Sequence, residues 1–155
     1  MKAWRIEKNK RLATAASGEG ARIEGGRWNS VGLPVVYASE HLSLAVLEIL
    51  VHASAPAARM VARSRSAIEI PESAFEVIAL HKLPADFGPE TAYSLTQAIG
   101  DEWLISKRTP ALIVPSAIVP IERNVLLNPS HPKFAALSWA PFVTIHVDAR
   151  LWTVA

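Results

Sequence analysis

The stretch Pro34 to His52, PVVYASEHLSLAVLEILVH, decides the fold. Its opening residues, Pro34-Val35-Val36-Tyr37-Ala38, read as a buried strand, being short, apolar and rich in strand formers. Ser39 then supplies an N-cap for a helix from about Glu40 to His52. Within that helix Leu42, Ala45, Val46 and Ile49 follow the i, i+3, i+4, i+7 rule of an apolar stripe. One residue is out of keeping with it. Glu48 has Leu44, Ala45, Val51 and His52 as neighbours three and four positions away, so its carboxylate projects from a largely apolar face. Burying an unpaired charge is costly, so either a cation meets it, it is protonated, or the helix face borders a cleft. A structural arginine partner or plain exposure accounts for it equally well.

Upstream, Trp4 to Ile6 reads as a first short strand, followed by an irregular segment through Gly18, Gly20, Gly25 and Gly26. Gly25-Gly26-Arg27-Trp28-Asn29, with Gly32 beyond, places a planar cation, an aromatic and an amide at a turn just before the buried strand. Arginine binds phosphate in bidentate fashion and cannot lose its charge, and the N–H groups of a glycine-rich turn add to an anion site. No Gly-Lys-Ser/Thr follows and no GxGxxG opens a helix, so neither phosphate-loop motif is present, and an ordinary hydrogen-bonded turn also fits. Tyr37 closes the strand that follows. Its ring sits either at a pocket mouth or in the core.

Downstream, Met60 to Ile70 and Phe75 to Leu80 read as strands, Glu90 to Ser106 as a helix with Leu95, Ile99 and Trp103 on one face, and Ala111 to Val114 as a short buried strand. Gly100 weakens that helix by about 1 kcal/mol relative to alanine. Phe142 to Val147 alternates, with Val143, Ile145 and Val147 expected inward. Strands mixed with two main helices, without regular βαβ alternation, favour an α+β class over a doubly wound sheet. Ser116 lies in Val114-Pro115-Ser116 without a GxSxG elbow, which argues against a serine hydrolase.

The totals agree with one globular unit. Of 155 residues half are apolar and 19% charged, which is not a disordered composition. No repeat or composition break divides residues 1–155, so a single domain is expected. The absence of cysteine excludes disulfides, thiolate metal sites and a cysteine nucleophile. The five histidines show no HExxH or paired spacing, so no metal site is expected. Sixteen basic against fourteen acidic side chains give a net charge of +2, a weak argument for nucleic acid, although Arg59, Arg63 and Arg65 recur in one segment. Met1-Lys2-Ala3-Trp4-Arg5-Ile6-Glu7 lacks the apolar run of a signal peptide, and no stretch reaches the ~18 apolar residues of a membrane span. A soluble, cytoplasmic protein is expected.

Taken together, several segments resemble the RES domain family, named for an Arg, a Glu and a Ser, whose members are toxins encoded with Xre-type antitoxins. The matching stretches are Gly18 to Arg22, Gly25 to Asn29, Val36-Tyr37, Leu44 to Glu48, Gly100 to Leu104, Val114 to Ser116 and Asn124 to Pro132. The resemblance implies an α+β fold similar to the ADP-ribosyltransferase catalytic core, with mixed sheets and flanking helices. It implies cleavage of NAD, as substrate rather than cofactor, at the nicotinamide–ribose bond, by glycohydrolysis, phosphorolysis or ADP-ribosyl transfer. By the same carry-over Arg27, Tyr37 and Glu48 are the catalytic set, Ser116 binds the nicotinamide side, and Arg5, Arg22, Trp28, Asn29 and Asn128 lie near the ligand. It further implies an antitoxin on a separate chain, hence a hetero-oligomer, with any DNA binding left to the antitoxin. The rival readings are transfer of ADP-ribose to a protein, an idle nucleotide- or peptide-binding module, and a small RNA-binding protein.

Overall fold

The structure is a computed structural model and describes residues 1–52, 61–83, 87 and 93–151. Strands β1 (Lys2–Lys8), β2 (Val36–Ser39), β3 (Arg63–Glu69), β4 (Phe75–Val77), β5 (Ala111–Pro115), β6 (Arg123–Leu127), β7 (Ser138–Trp139) and β8 (Val143–Thr144) join in one mixed sheet. Its order is β4-β5-β6-β2-β1-β3-β7, with β8 also on β3. Only β4 and β5 run parallel among the described pairs. Among the described residues three helices accompany it, α1 (Glu19–Glu24), α2 (Leu42–His52) and α3 (Tyr93–Ser106). The α+β class expected from the sequence is the observed one.

The apolar runs of β5 and β6 do not alternate because both sheet faces are covered. Val125 and Leu127 join Val36, Ala38 and Ala111 in one cluster, while Leu126, Leu112 and Val114 join Trp28, Trp103 and Leu104 in another. Alternation along the strands therefore puts Tyr37, Ser39, Asn124, Leu126, Leu112 and Val114 on one face, the one α3 covers.

Several expected boundaries differ. Ser39 is the last residue of β2 and does not cap α2; its hydroxyl donates to Asn124 Oδ1 at 2.8 Å, and the helix starts at Leu42 with Ala45 N donating to His41 O. Of the expected stripe Ala45 is buried and Leu42, Val46 and Ile49 are partly buried, while the most buried side chain of α2, Leu44, lies outside that stripe. The expected irregular segment before the Gly25-Gly26 turn contains a 3₁₀ turn, Asn9–Thr14, and α1. The strand expected over 60–70 is β3, residue 60 lying outside the described residues, and the one expected over 75–80 ends at Val77. The last strand is only two residues long, and Val143 is 52% exposed rather than inward. Its backbone pairs with Arg65 at a sheet edge where nothing covers its side chain among the described residues.

Helix α3 begins at Tyr93 among the described residues, and its inner face is Thr96, Gly100, Trp103 and Leu104. Leu95, expected inward, is 44% exposed. The helix turns this more polar face inward because it packs on backbone. A Cβ added at Gly100 would lie 1.8 Å from the Trp28 carbonyl oxygen. The glycine that costs α3 helical propensity is thus what lets the Gly26 to Asn29 turn press against it. Gly100→Ala should lower stability by about 3 kcal/mol or more, and hence the thermal midpoint by roughly 6 °C or more. Differential scanning calorimetry of the purified protein checks this, and an unchanged midpoint would contradict the close approach.

Candidate active site

Glu48 and Ser116, both singled out by the sequence, meet where β2 ends, β6 begins and β5 ends. Cross-strand register aligns Ser39 with Asn124 and Asn124 with Val114, and Ser116 follows β5 directly. Helix α2 packs on β1 and β2 through Leu44 and Ala45, and one turn later Glu48 reaches this corner. Its Oε1 accepts from Ser116 Oγ at 3.1 Å and from Asn124 Nδ2 at 2.5 Å. Its Oε2 lies 3.5 Å from His52 Nε2, one further turn along α2. Burial pushes the Glu48 carboxyl up, but the hydrogen bonds from His52, Asn124 and Ser116 outweigh it and hold it below its ordinary range. Glu48 in turn raises the His52 imidazole, against burial and the positive charge of Arg27. Of the possibilities for a carboxylate on this face, these hydrogen bonds favour the ionised form at neutral pH. Glu48 is an ionised group, 23% exposed, with one oxygen committed to the sheet.

The Gly26 to Asn29 turn is built around the Asn29 amide. Asn29 is fully buried, donates to the carbonyls of Ala21, Leu33 and Ser30, and accepts from the Tyr37 hydroxyl at 2.8 Å. That hydroxyl accepts from Trp28 N at 3.1 Å. Burial drives the Tyr37 phenol well above its usual range, so it stays a neutral donor. A Cβ at Gly26 would come within 2.6 Å of the Tyr37 oxygen, so a side chain there would break this contact. From the other side α3 grips the turn: Thr96 Oγ1 donates to Arg27 O, Gln97 Nε2 to Gly26 O, and Asp101 Oδ1 accepts from Ser30 N. The turn presents Arg27, whose Nη1 donates to Phe87 O at 2.7 Å and whose guanidinium lies over the Tyr93 ring, 4.5 Å from its centre. The Arg27 charge acts on both Tyr37 and His52. One cation, one phenol ring and one anchored carboxylate therefore share a neighbourhood.

The structure joins Glu48 and Ser116 directly, and the Arg27 charge reaches Tyr37 and the Glu48 partner His52. Arg5 is adjacent: its Nη1 donates to Tyr37 O at 2.8 Å, its Nη2 pairs with Glu7, and its Nε is buried without a hydrogen-bond partner among the described residues. Trp28 is core, 2% exposed, and Asn29 is spent on the turn. Arg22 is on the surface, paired with Glu19 at three positions' spacing. Asn128 is buried at the far end of β6, donating to Leu104 O and accepting from Ser130 N. It is about 13 Å along the strand from Asn124. The sequence names His52 only as a neighbour of Glu48 and Asn124 only as the start of a matching stretch, with no role for either, and carries no signal for Tyr93. The role of Asn124 is visible only through strand register.

The RES domain model matches residues 2–148, and the chain belongs to the RES domain family. Within it, the chain is 39% identical over 149 residues to Toxin Res of Photorhabdus laumondii, covering 96% of this chain and 95% of that one. It is 41% identical over 137 residues to the Prs ADP-ribosylating toxin of a Sphingobium species, covering 83% of each. In fold it resembles a chain of the Mycobacterium tuberculosis MbcT–MbcA toxin–antitoxin complex, with a TM-score of 0.76, 22% identity, and 93% of this chain and 83% of that chain covered. No helix among the described residues is long and apolar enough to cross a membrane.

The Glu48–His52 pair has a defined pH signature. A carboxyl depressed in the folded state contributes stability that is present above its unfolded value and lost as pH falls through the folded one. A raised imidazole contributes stability present below its unfolded value and lost as pH rises through the folded one. Relative to Glu48→Gln, the wild-type protein should therefore lose stability as pH is lowered from about 6 to about 3. Relative to His52→Ala it should lose stability as pH rises from about 6 to about 9. Urea denaturation across pH checks both, and parallel curves would contradict the pairing.

Proposed function

We propose that this chain, as one catalytic domain over residues 1–155, is the toxin half of a toxin–antitoxin pair and cleaves NAD at the nicotinamide–ribose bond. The observation that carries the reading is the Glu48 carboxylate, held ionised and anchored through one oxygen to Ser116 and Asn124 in a half-buried corner, with the Arg27 charge near enough to act on its partner His52. Departure of nicotinamide leaves positive charge on the ribose, an oxocarbenium-like state akin to that of glycoside hydrolysis. A preformed carboxylate in partly desolvated surroundings stabilises that charge more than it stabilises the ground state. Arg27 supplies the fixed cation for the pyrophosphate, with the Phe87 carbonyl and Tyr93 ring beside it. The hydroxyl of Tyr37 is taken up by the turn, so its ring is what it offers the nicotinamide. Ser116 serves the substrate through Glu48, because its oxygen donates to that carboxylate and accepts from Ile118 N and Val119 N.

Water, phosphate or a protein side chain completes the reaction as acceptor. Transfer to a protein is the second reading, favoured by the 41% identity to a relative named as an ADP-ribosylating toxin. Labelled NAD incubated with the pure protein separates them, as free ADP-ribose or its phosphorylated form for turnover and label on protein for transfer. The MbcT–MbcA likeness supports an antitoxin partner, here of the Xre type on a separate chain, within the cytoplasm.

Glu48→Gln should fold and should lose NAD consumption in cells by roughly 100-fold or more, with growth arrest relieved. A folded Glu48→Gln protein that still depletes NAD would overturn the assigned role. Arg27→Ala should weaken NAD binding by about 10-fold or more, read by calorimetric titration in the Glu48→Gln background, and unchanged affinity would argue against the phosphate contact.

A further inference from the structure

We infer that Asn124 and Ser39 are positioning residues that aim the Glu48 carboxylate, a two-residue relay across the sheet that fixes which carboxylate oxygen is left for the substrate. The inference rests on the reading of Glu48 as the group that faces the ribose. Ser39 and Asn124 are directly opposed in the β2–β6 register and project on the same face, so their contact is set by strand pairing rather than by a flexible loop. Ser39, 3% exposed, donates its hydroxyl proton to Asn124 Oδ1 at 2.8 Å. An amide with its carbonyl oxygen held this way has its Nδ2 turned outward, and that nitrogen donates to Glu48 Oε1.

Without the hydroxyl, the Asn124 amide is free to rotate, and a rotation of 180° would set a carbonyl oxygen against an ionised carboxylate. Ser116 is the second donor to the same Oε1 and is itself pinned by two backbone N–H groups, so both donors to this atom are immobile. Two fixed donors on one oxygen do two things. They help hold the carboxylate ionised despite its burial, and they leave Oε2, paired only with the exposed His52 side chain, as the oxygen a substrate reaches by displacing that imidazole. No sequence motif marks Ser39, which reads instead as a helix cap.

The test is a site-resolved titration of the Glu48 carboxyl by ¹³C NMR in the purified full-length protein, with the resonance assigned by its loss in Glu48→Gln. In Asn124→Asp a second carboxylate replaces the donor, and the Glu48 midpoint should rise by about one pH unit or more. Ser39→Ala should raise it by less, and Ser39→Thr, which restores the hydroxyl, should return it to the wild-type value. If NAD turnover is measured alongside, Asn124→Asp and Ser39→Ala should lower kcat, with the acid limb of the profile moved to higher pH, while KM for NAD stays within about twofold. A Glu48 midpoint unchanged in Ser39→Ala overturns the relay, whether or not Asn124→Asp folds. Because the titration needs no turnover, it judges the relay even if Glu48→Gln proves to retain NAD consumption, an outcome that would overturn only the assigned role of Glu48.

Discussion

The Glu48 carboxylate and its two donors are the interaction on which the rest of this molecule depends. A charge brought into a half-buried corner is unfavourable unless its hydrogen bonds are supplied by the protein, and here two of them come from Ser116 and Asn124, both distant from α2 in sequence. Ser116 follows β5, Asn124 lies in β6, and Glu48 arrives from a helix that follows β2. The three pieces must be in register for the charge to be tolerated. Conversely, the charge penalises any slip of register, because a one-residue shift would turn Asn124 to the other face.

The second constraint is the close packing of α3 against the arginine turn. Gly100 lets the Trp28 carbonyl approach, and Thr96, Gln97 and Asp101 take up the backbone groups that a tight turn leaves unpaired. Asn29 and Tyr37 close the turn from the strand side. The backbone that carries Arg27 is therefore held by a rigid frame even though it is a loop, which suits the substrate contact proposed for it.

Much of this was legible in the sequence, for identifiable reasons. The strand-to-helix unit was readable because Pro34 to Ala38 and the α2 segment have strong and distinct patterns, and Glu48 stood out because a carboxylate broke the second one. The Gly25-Gly26-Arg27 turn was readable from glycine spacing, although its purpose was not. What stayed hidden depends on contacts distant in sequence. Ser39 looks like a cap because serine before an apolar helix usually is one, and only the β2–β6 register shows it facing Asn124. Leu95 and Val143 were expected inward because periodicity reports which faces differ, not which face is covered. Asn29 and Asn128 look like ligand-binding amides in a motif, whereas Asn29 is taken up by backbone carbonyls and the Tyr37 hydroxyl and Asn128 by backbone groups.

The account as a whole turns on where NAD lies relative to Glu48. A crystal structure of the Glu48→Gln protein with intact NAD bound tests it most directly. The account predicts the nicotinamide ribose against residue 48, on its Oε2 side, with the pyrophosphate on Arg27 and the nicotinamide ring beside Tyr37. NAD bound elsewhere, or with its ribose away from residue 48, would contradict it.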